Sequence, residues 1–182
     1  MALTKTPICD FGKKAENFKL KSTDNKVVSL EDIKGENGTL VMFICNHCPY
    51  VVGSFDRIDR AAMKAAELGM GFVGINSNDP EKYVEDSFEN MVKRANKGMP
   101  YAYLHDDSQE VANTWGAERT PEFYLMDGQG VVVYRGRLDN SPKNPMEATT
   151  SDLSDAMDSL SMGDSPPVAR TQSIGCSVKW KY

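Results

Sequence analysis

Residues 39–49, Thr-Leu-Val-Met-Phe-Ile-Cys-Asn-His-Cys-Pro, carry an apolar run straight into two cysteines, a histidine and a proline. The run from Thr39 to Ile44 predicts a buried strand. After the proline, apolar residues recur at helical spacing, which predicts a helix. They are Val52, Phe55, Ile58, Ala62, Met63 and Ala66. Cys45 and Cys48 are therefore expected at a strand-to-helix turn.

The proline predicts which of the two thiols is reactive. Proline is favoured at the first position of a helix, so Pro49 places Cys48 at the N-cap, beside unpaired N–H groups and the positive end of the helix dipole. The pKa of a free cysteine is ~8.5, and a position at a helix N-terminus beside a cationic neighbour lowers it. Cys48 is accordingly the candidate nucleophile, His47 a contributor to its reactivity and Cys45 its disulfide partner. Two buried structural thiols are the alternative interpretation.

Thiolates combined with imidazole also bind zinc and soft copper. A closed zinc site needs about four ligands, and the chain has one close cysteine pair. The other potential ligands are His47, within the motif, and Cys9, Cys176 and His105, which are distant in sequence. We therefore predict no metal and no other cofactor, and favour redox use of the cysteine pair.

Composition limits the classes of partner. The chain has 182 residues, 40% of them hydrophobic, which is enough for one domain with an ample core. Its net charge of −5 argues against nucleic acid or an anionic membrane, because neither attracts an acidic surface. Residues 1–7 lack the apolar core of a signal peptide, and no apolar run approaches the roughly 20 residues that span a bilayer. We expect a cytoplasmic location, where disulfides are usually transient and catalytic.

Strand and helix patterns alternate along the chain. The predicted strands are 18–21, 26–30, 71–76, 101–104, 122–126 and 131–136, and further helices are predicted at 86–98, 110–115 and 149–163. The capping-box spacing of Asp86 and Glu89 predicts that Asp86 caps the first of these. Parallel pairing around a crossover helix, followed by a hairpin, predicts a mixed sheet. The tail from Asp164 is expected to run extended.

Together these features resemble the thioredoxin fold over roughly residues 18–163. The opening hairpin and the segment between Asn76 and Gly116 resemble the redoxin branch of that fold, which includes peroxiredoxins and thiol reductases. Residues 43–49, 134–139 and 174–180 look like a peroxiredoxin-like subgroup. We therefore expect an α/β protein with a mixed central sheet flanked by helices, residues 1–163 forming the domain and residues 164–182 a tail that carries Cys176.

The resemblance implies roles for the cysteines. When the chain is laid on the family pattern without gaps, Cys48 falls on the nucleophilic cysteine, in agreement with the proline argument. Cys45 is then the first candidate to resolve the mixed disulfide and Cys176 the second. A direct mapping of the family's Cys-x-x-Cys, in which Cys45 attacks, stays open. In either register, a cationic His47 would make the pair more oxidising.

The resemblance also assigns Thr120 and Pro121 to the site. In thioredoxin-fold proteins the matching proline is cis and lies against the active cysteine. It leaves the preceding backbone free to pair with an extended substrate. Thr120 and Pro121 are therefore expected to bind substrate, and a proline packed there also tends to exclude metal.

These expectations describe a thiol-disulfide oxidoreductase that acts on a protein or small-molecule thiol or disulfide and needs an unidentified electron donor. The alternatives are a copper module similar to the Sco chaperones, with His105 as distal ligand, and a redox sensor without turnover. Peroxidase activity is disfavoured because Cys45 stands where the peroxiredoxin motif Pro-x-x-x-Thr/Ser-x-x-Cys has Thr or Ser. Pro121 stands where the peroxiredoxin arginine falls, so Arg119 is expected to be a surface residue beside the site.

Overall fold

The computed structural model describes residues 12–182, so the candidate thiol Cys9 lies outside the described residues. The strands are β1 (Lys19–Ser22), β2 (Val27–Ser29), β3 (Thr39–Phe43), β4 (Gly71–Asn76), β5 (Ala102–His105), β6 (Arg119–Thr120), β7 (Glu122–Met126), β8 (Val132–Gly136) and β9 (Cys176–Ser177). The main sheet has the order β2-β1-β5-β4-β3-β7-β8, and β6 pairs with β9 in a separate two-stranded sheet. β4 is parallel to β3 and β5, whereas β7 is antiparallel to β3, which confirms the predicted mixed sheet.

Helices cover both faces of the main sheet. They are α1 (Leu30–Ile33), α2 (Pro49–Val52), α3 (Phe55–Glu67), α4 (Phe88–Ala95), α5 (Glu110–Trp115) and α6 (Asp152–Ser161). Side chains of β3 alternate between the two faces. Leu40 and Met42 pack in a core with α3 and α6, while Val41 and Phe43 pack in a core with α1 and α5. Among the described residues, no helix has the length and apolar character needed to cross a membrane.

The helix predicted after Pro49 is interrupted. α2 ends at Val52 and α3 begins at Phe55. Between them, the Ser54 hydroxyl is fully buried and donates a 2.7 Å hydrogen bond to the carbonyl oxygen of Pro142. The interruption therefore separates a short helix, which begins at the cysteines, from the longer helix that builds the core.

The predicted capping role of Asp86 is wrong. Ser87 is the N-cap of α4, and its hydroxyl accepts a hydrogen bond from the backbone N–H of Asn90 at 3.2 Å. Asp86 is completely buried instead, in a turn of 3-10 helix that precedes α4. α4 also ends at Ala95, earlier than the predicted end at Gly98. Because Asp86 does not cap α4, its carboxylate is available to interact with the loop that carries the cysteines.

The C-terminal tail is docked along the domain. The backbone N–H of Thr171 donates to the carbonyl oxygen of Arg135 at 3.1 Å, and that of Val178 donates to the carbonyl oxygen of Glu118 at 2.9 Å. Between these points β9 pairs with β6. The tail is thus held on both sides of Cys176.

Candidate active site

Cys45 and Cys48 lie in the turn between β3 and α2, as the sequence predicts. Cys48 is the N-cap of α2 and is followed by Pro49 in the first turn, which confirms the predicted placement. Cys45 is fully buried and Cys48 is 2% exposed. The backbone N–H of Cys48 donates to Cys45 Sγ at 3.4 Å, and both thiols are free. The two sulfurs are therefore adjacent and shielded from solvent.

The surroundings of the two thiols drive their pKa values apart. The pKa of Cys48 is lowered to about 4, mainly by a hydrogen bond from the Cys45 thiol and also by hydrogen bonds from Cys176 and the backbone N–H of Val51, against the effect of burial. The pKa of Cys45 is raised strongly by its hydrogen bond to Cys48, by burial and by the negative charge of Asp86. Both shifts favour a proton on Cys45 and a thiolate on Cys48.

Asp86 is the site residue that the sequence does not reveal, because its spacing to Glu89 imitates a helix cap. Its Oδ1 accepts hydrogen bonds from the backbone N–H of Asn46 at 2.7 Å and from Asn76 Nδ2 at 3.2 Å. Its Oδ2 accepts a hydrogen bond from Asn78 Nδ2 at 3.0 Å. The carboxylate thereby ties the cysteine loop to the end of β4 and brings a negative charge to Cys45.

His47 faces this carboxylate. Its Nδ1 lies 2.5 Å from Asp86 Oδ2, and its ring stacks on Tyr83 with the centroids 5.4 Å apart. The hydrogen bonds that lower the pKa of Cys48 come from other residues. The structure thus brings His47 to the site through Asp86, and its effect on Cys48 stays a prediction.

Thr120 contacts both cysteines. Its hydroxyl lies 3.5 Å from Cys45 Sγ, and the Cys48 thiol, when protonated, donates to the Thr120 carbonyl oxygen at 3.4 Å. The peptide bond between Thr120 and Pro121 is cis, as predicted. The structure therefore brings together the cysteine motif and the Thr-Pro segment.

A buried ion pair supports the segment that contains Thr120. Arg135 Nη2 lies 2.8 Å from Glu122 Oε1, and both side chains are almost completely buried. The other carboxylate oxygen of Glu122 accepts hydrogen bonds from the backbone N–H groups of Glu118 and Arg119, both at 3.3 Å. Because a buried charge that loses its partner is costly, this arrangement fixes the segment that leads into β7.

The backbone beside the cis proline is paired with the tail and not free as the resemblance implied, so substrate binding by Thr120 and Pro121 stays a prediction. β9 runs antiparallel to β6, with Cys176 opposite Thr120. The thiol and the backbone N–H of Cys176 lie close enough to Cys48 to lower the pKa of its thiol. Arg119 is exposed, as expected, and its Nη1 donates to the Gly175 carbonyl oxygen at 3.3 Å. The tail itself therefore occupies the edge that was expected to receive substrate.

The family model described as Redoxin matches residues 11–156. This chain belongs to the redoxin family. A solved structure of an uncharacterized conserved protein from Geobacillus kaustophilus is 45% identical, with a TM-score of 0.89, and the match covers 95% of this chain and 93% of that one. The thiol-disulfide oxidoreductase ResA of Bacillus thuringiensis is 25% identical over 130 residues, or 71% of each chain. A putative peroxiredoxin of Mycobacterium tuberculosis is 27% identical over 71% of this chain and 78% of its own.

This redoxin also has three potential metal ligands near one another. Within the described residues, ligand atoms of Cys45, His47 and Asp86 lie within 4.8 Å of one another. Both Asp86 oxygens already accept hydrogen bonds, and the raised pKa of Cys45 disfavours the thiolate that a metal needs. His105 lies elsewhere, on β5, where its ring stacks on Phe88. The donor set therefore fits a metal poorly, and the distal ligand required by the copper alternative is not at the site.

Proposed function

We propose that this redoxin is a thiol-disulfide oxidoreductase whose nucleophile is Cys48. The observation that carries the proposal is the position of Cys48 at the N-cap of α2, before Pro49 and beside the buried Cys45 thiol, where the pKa of Cys48 is lowered and that of Cys45 is raised. A thiolate, and not a thiol, attacks a disulfide. The relatives named as thiol-disulfide oxidoreductases support the same chemistry.

The reaction begins with the Cys48 thiolate. It attacks one sulfur of a substrate disulfide, the substrate S–S bond breaks, and a mixed disulfide forms while half of the substrate leaves as a thiolate. A second thiol of the protein then attacks Cys48 Sγ and releases the other half. The protein is left with an internal disulfide, and an external dithiol donor, itself oxidised to a disulfide, returns it to the reduced form. Run in reverse, the same steps oxidise a dithiol substrate.

Two thiols are placed to resolve the mixed disulfide, because Cys45 and Cys176 both lie beside Cys48 and both lower the pKa of its thiol. From the sequence, Cys45 is the first candidate for the resolving thiol and Cys176 the second. Asp86, His47 and Thr120 serve as positioning residues around the pair. The substrate is a protein or small-molecule thiol or disulfide, and the cytoplasm remains the compartment that the sequence predicts.

Peroxidase activity of the peroxiredoxin type is not part of the proposal. Cys45 takes the place of the Thr or Ser of the peroxiredoxin motif, and Pro121 the place of its arginine. Arg119, the nearest arginine in sequence, is exposed and donates to the tail rather than to Cys48.

Substitution of the nucleophile tests the proposal. Reduction of a small model disulfide, driven by dithiothreitol, should be abolished in Cys48→Ser and unchanged in the matched control Cys9→Ser. Circular dichroism and thermal unfolding would establish that Cys48→Ser is folded. Full turnover in a folded Cys48→Ser variant would refute the assignment.

A further inference from the structure

The last strand of the chain is built into the site. Cys176 pairs with Thr120 across an antiparallel bridge. A Cβ on Gly175 would collide with the backbone of Thr120 and Pro121, so only glycine allows the tail to approach this closely. Ser177 continues the pairing opposite Arg119. The tail occupies the backbone edge beside the cis proline in the manner of a bound peptide.

Contacts on both sides fix the position of Cys176. Before it, the Thr171 hydroxyl accepts a 2.9 Å hydrogen bond from the backbone N–H of Arg137. After it, the Lys179 carbonyl oxygen accepts a 2.8 Å hydrogen bond from the backbone N–H of Asp79. Cys176 is therefore held beside Cys48 by the fold, as a third member of the thiol site.

The three thiols differ in their access to solvent. Cys45 is fully buried and Cys48 is 2% exposed, whereas Cys176 is partly exposed. Cys48 lies beside both of the others, and each lowers the pKa of its thiol. A disulfide between Cys48 and Cys176 would therefore reach the surface, while a disulfide between Cys45 and Cys48 would stay enclosed.

We propose that Cys176, and not Cys45, resolves the mixed disulfide on Cys48, so that the oxidised protein carries a Cys48–Cys176 disulfide open to its electron donor. This inference rests on the proposed function and reverses the order of the two resolving candidates expected from the sequence. Cys45 then acts as a positioning residue, the hydrogen-bond donor that keeps Cys48 ionised.

The charges around the two candidates favour Cys176. Its pKa is raised by burial, by its hydrogen bond to Cys48 and by the charge of the Cys48 thiolate, while Lys179 and Lys143 lower it. When Cys48 enters a mixed disulfide its sulfur is neutral, so Cys48 no longer raises the pKa of either thiol, while burial and the two lysines continue to act on Cys176. Cys45 stays buried beside the negative charge of Asp86. Cys176, which is partly exposed and lies near two lysines, is therefore better placed to ionise than the buried Cys45.

The resolving step balances without another reactant. Cys176 gives its proton to solvent, and its thiolate attacks Cys48 Sγ. The Cys48–Cys176 bond forms as the bond between Cys48 and the substrate sulfur breaks, and the substrate thiolate leaves. An external dithiol later attacks the sulfur of the partly exposed Cys176 and expels Cys48, whose low pKa makes it the better leaving group.

The test uses the full chain with Cys9→Ser and equimolar dithionitrobenzoate, an aromatic disulfide that releases a coloured thiol. Attack by Cys48 releases the first coloured thiol, and resolution releases the second. We expect Cys45→Ser to release both and to yield a Cys48–Cys176 disulfide by peptide mass mapping. Serine at position 45 keeps a hydroxyl donor for Cys48. Cys176→Ser should retain the adduct on Cys48 in the intact mass, with the second release slowed about tenfold or more.

The outcomes separate the two proposals. If Cys176→Ser resolves its adduct as fast as the parent, the inference is overturned while the proposed function stands. If Cys48→Ser releases the first coloured thiol as fast as the parent, the proposed function itself fails. Thermal unfolding of each variant, and Cys176→Ala as a second substitution, guard against loss of folding.

The pH dependence of the second release gives an independent readout. Lys179→Met removes a positive charge that lowers the pKa of Cys176, so the inflection of the second release should move to higher pH. Lys181→Met is the matched control, since Lys181 is also in the tail but pairs with Asp107. Equal profiles for the two variants would contradict attack by Cys176.

Discussion

The backbone N–H of Asn46 donates a 2.7 Å hydrogen bond to the carboxylate of Asp86, forty positions further along the chain. Through this bond a buried charge fixes the conformation of the loop between the two cysteines. Asn76 and Asn78 bind the same carboxylate from the end of β4. The cysteine loop is therefore positioned by a polar network as well as by the strand that precedes it.

Asp86→Asn is expected to loosen this loop. An amide supplies one acceptor oxygen where the carboxylate supplies two, so at least one buried donor loses its partner, at a cost of about 1–3 kcal/mol in the free energy of unfolding. The loss of the negative charge should also lower the pKa of Cys45. Urea denaturation would measure the first effect, and the pH dependence of Cys45 alkylation in a Cys48→Ser background would measure the second.

Glu85→Gln is the matched control for this prediction. It makes the same chemical change at the neighbouring position, where the side chain is exposed, and should leave both measurements unchanged within about 0.5 kcal/mol. Equal stability of Asp86→Asn and the parent would show that the network does not hold the loop.

The sequence predicts the backbone elements that form the site, because the patterns that indicate them are local. An apolar run, the position of Pro49 and a Thr-Pro pair before a hairpin are each visible within a few residues, and the structure has the expected strand, N-cap and cis bond there. The cis bond was predicted from the resemblance to the thioredoxin fold, because the spacing of residues alone does not indicate it. Local pattern was sufficient for these elements.

The sequence does not show what long-range contacts add. Asp86 has the local spacing of a helix cap, and its burial depends on polar partners at positions 46, 76 and 78. Cys176 lies in a tail for which the sequence predicts only an extended chain, and its place beside Cys48 depends on pairing with Thr120, far away in sequence. Both cases require the folded chain, because the energy that decides them comes from contacts between distant segments.

Cys48 should react as a thiolate far below the ordinary pH range of cysteine. Since its pKa is lowered to about 4, its alkylation rate in the folded protein should be constant above that pH and fall as the pH drops through it. In an unfolded chain, where the thiol pKa is ~8.5, the alkylation rate should instead keep rising with pH above pH 4. The depressed pKa contributes stability above the ordinary thiol pKa, and this contribution is lost as the pH falls through about 4.

Limiting iodoacetamide at mildly acidic pH, followed by peptide mass mapping, measures this difference. The label should appear mainly at Cys48, and Cys48→Ser should lose the fast phase that Cys45→Ser retains. If Cys45 takes the label and its substitution removes the fast phase, the direct Cys-x-x-Cys register applies and Cys45 is the nucleophile.

Protein purified under reducing conditions should carry no stoichiometric zinc or copper. Cys45, His47 and Asp86 lie close enough to share an ion, but the geometry opposes one. Each Asp86 oxygen is already an acceptor for neighbouring amides, and Cys45 would have to lose a proton that burial and the Asp86 charge retain. Elemental analysis of the parent, with Cys45→Ser and Cys9→Ser in parallel, gives the measurement. One metal per chain in the parent and in Cys9→Ser, absent from Cys45→Ser, would show that the three side chains form a metal centre and would favour the copper-binding alternative.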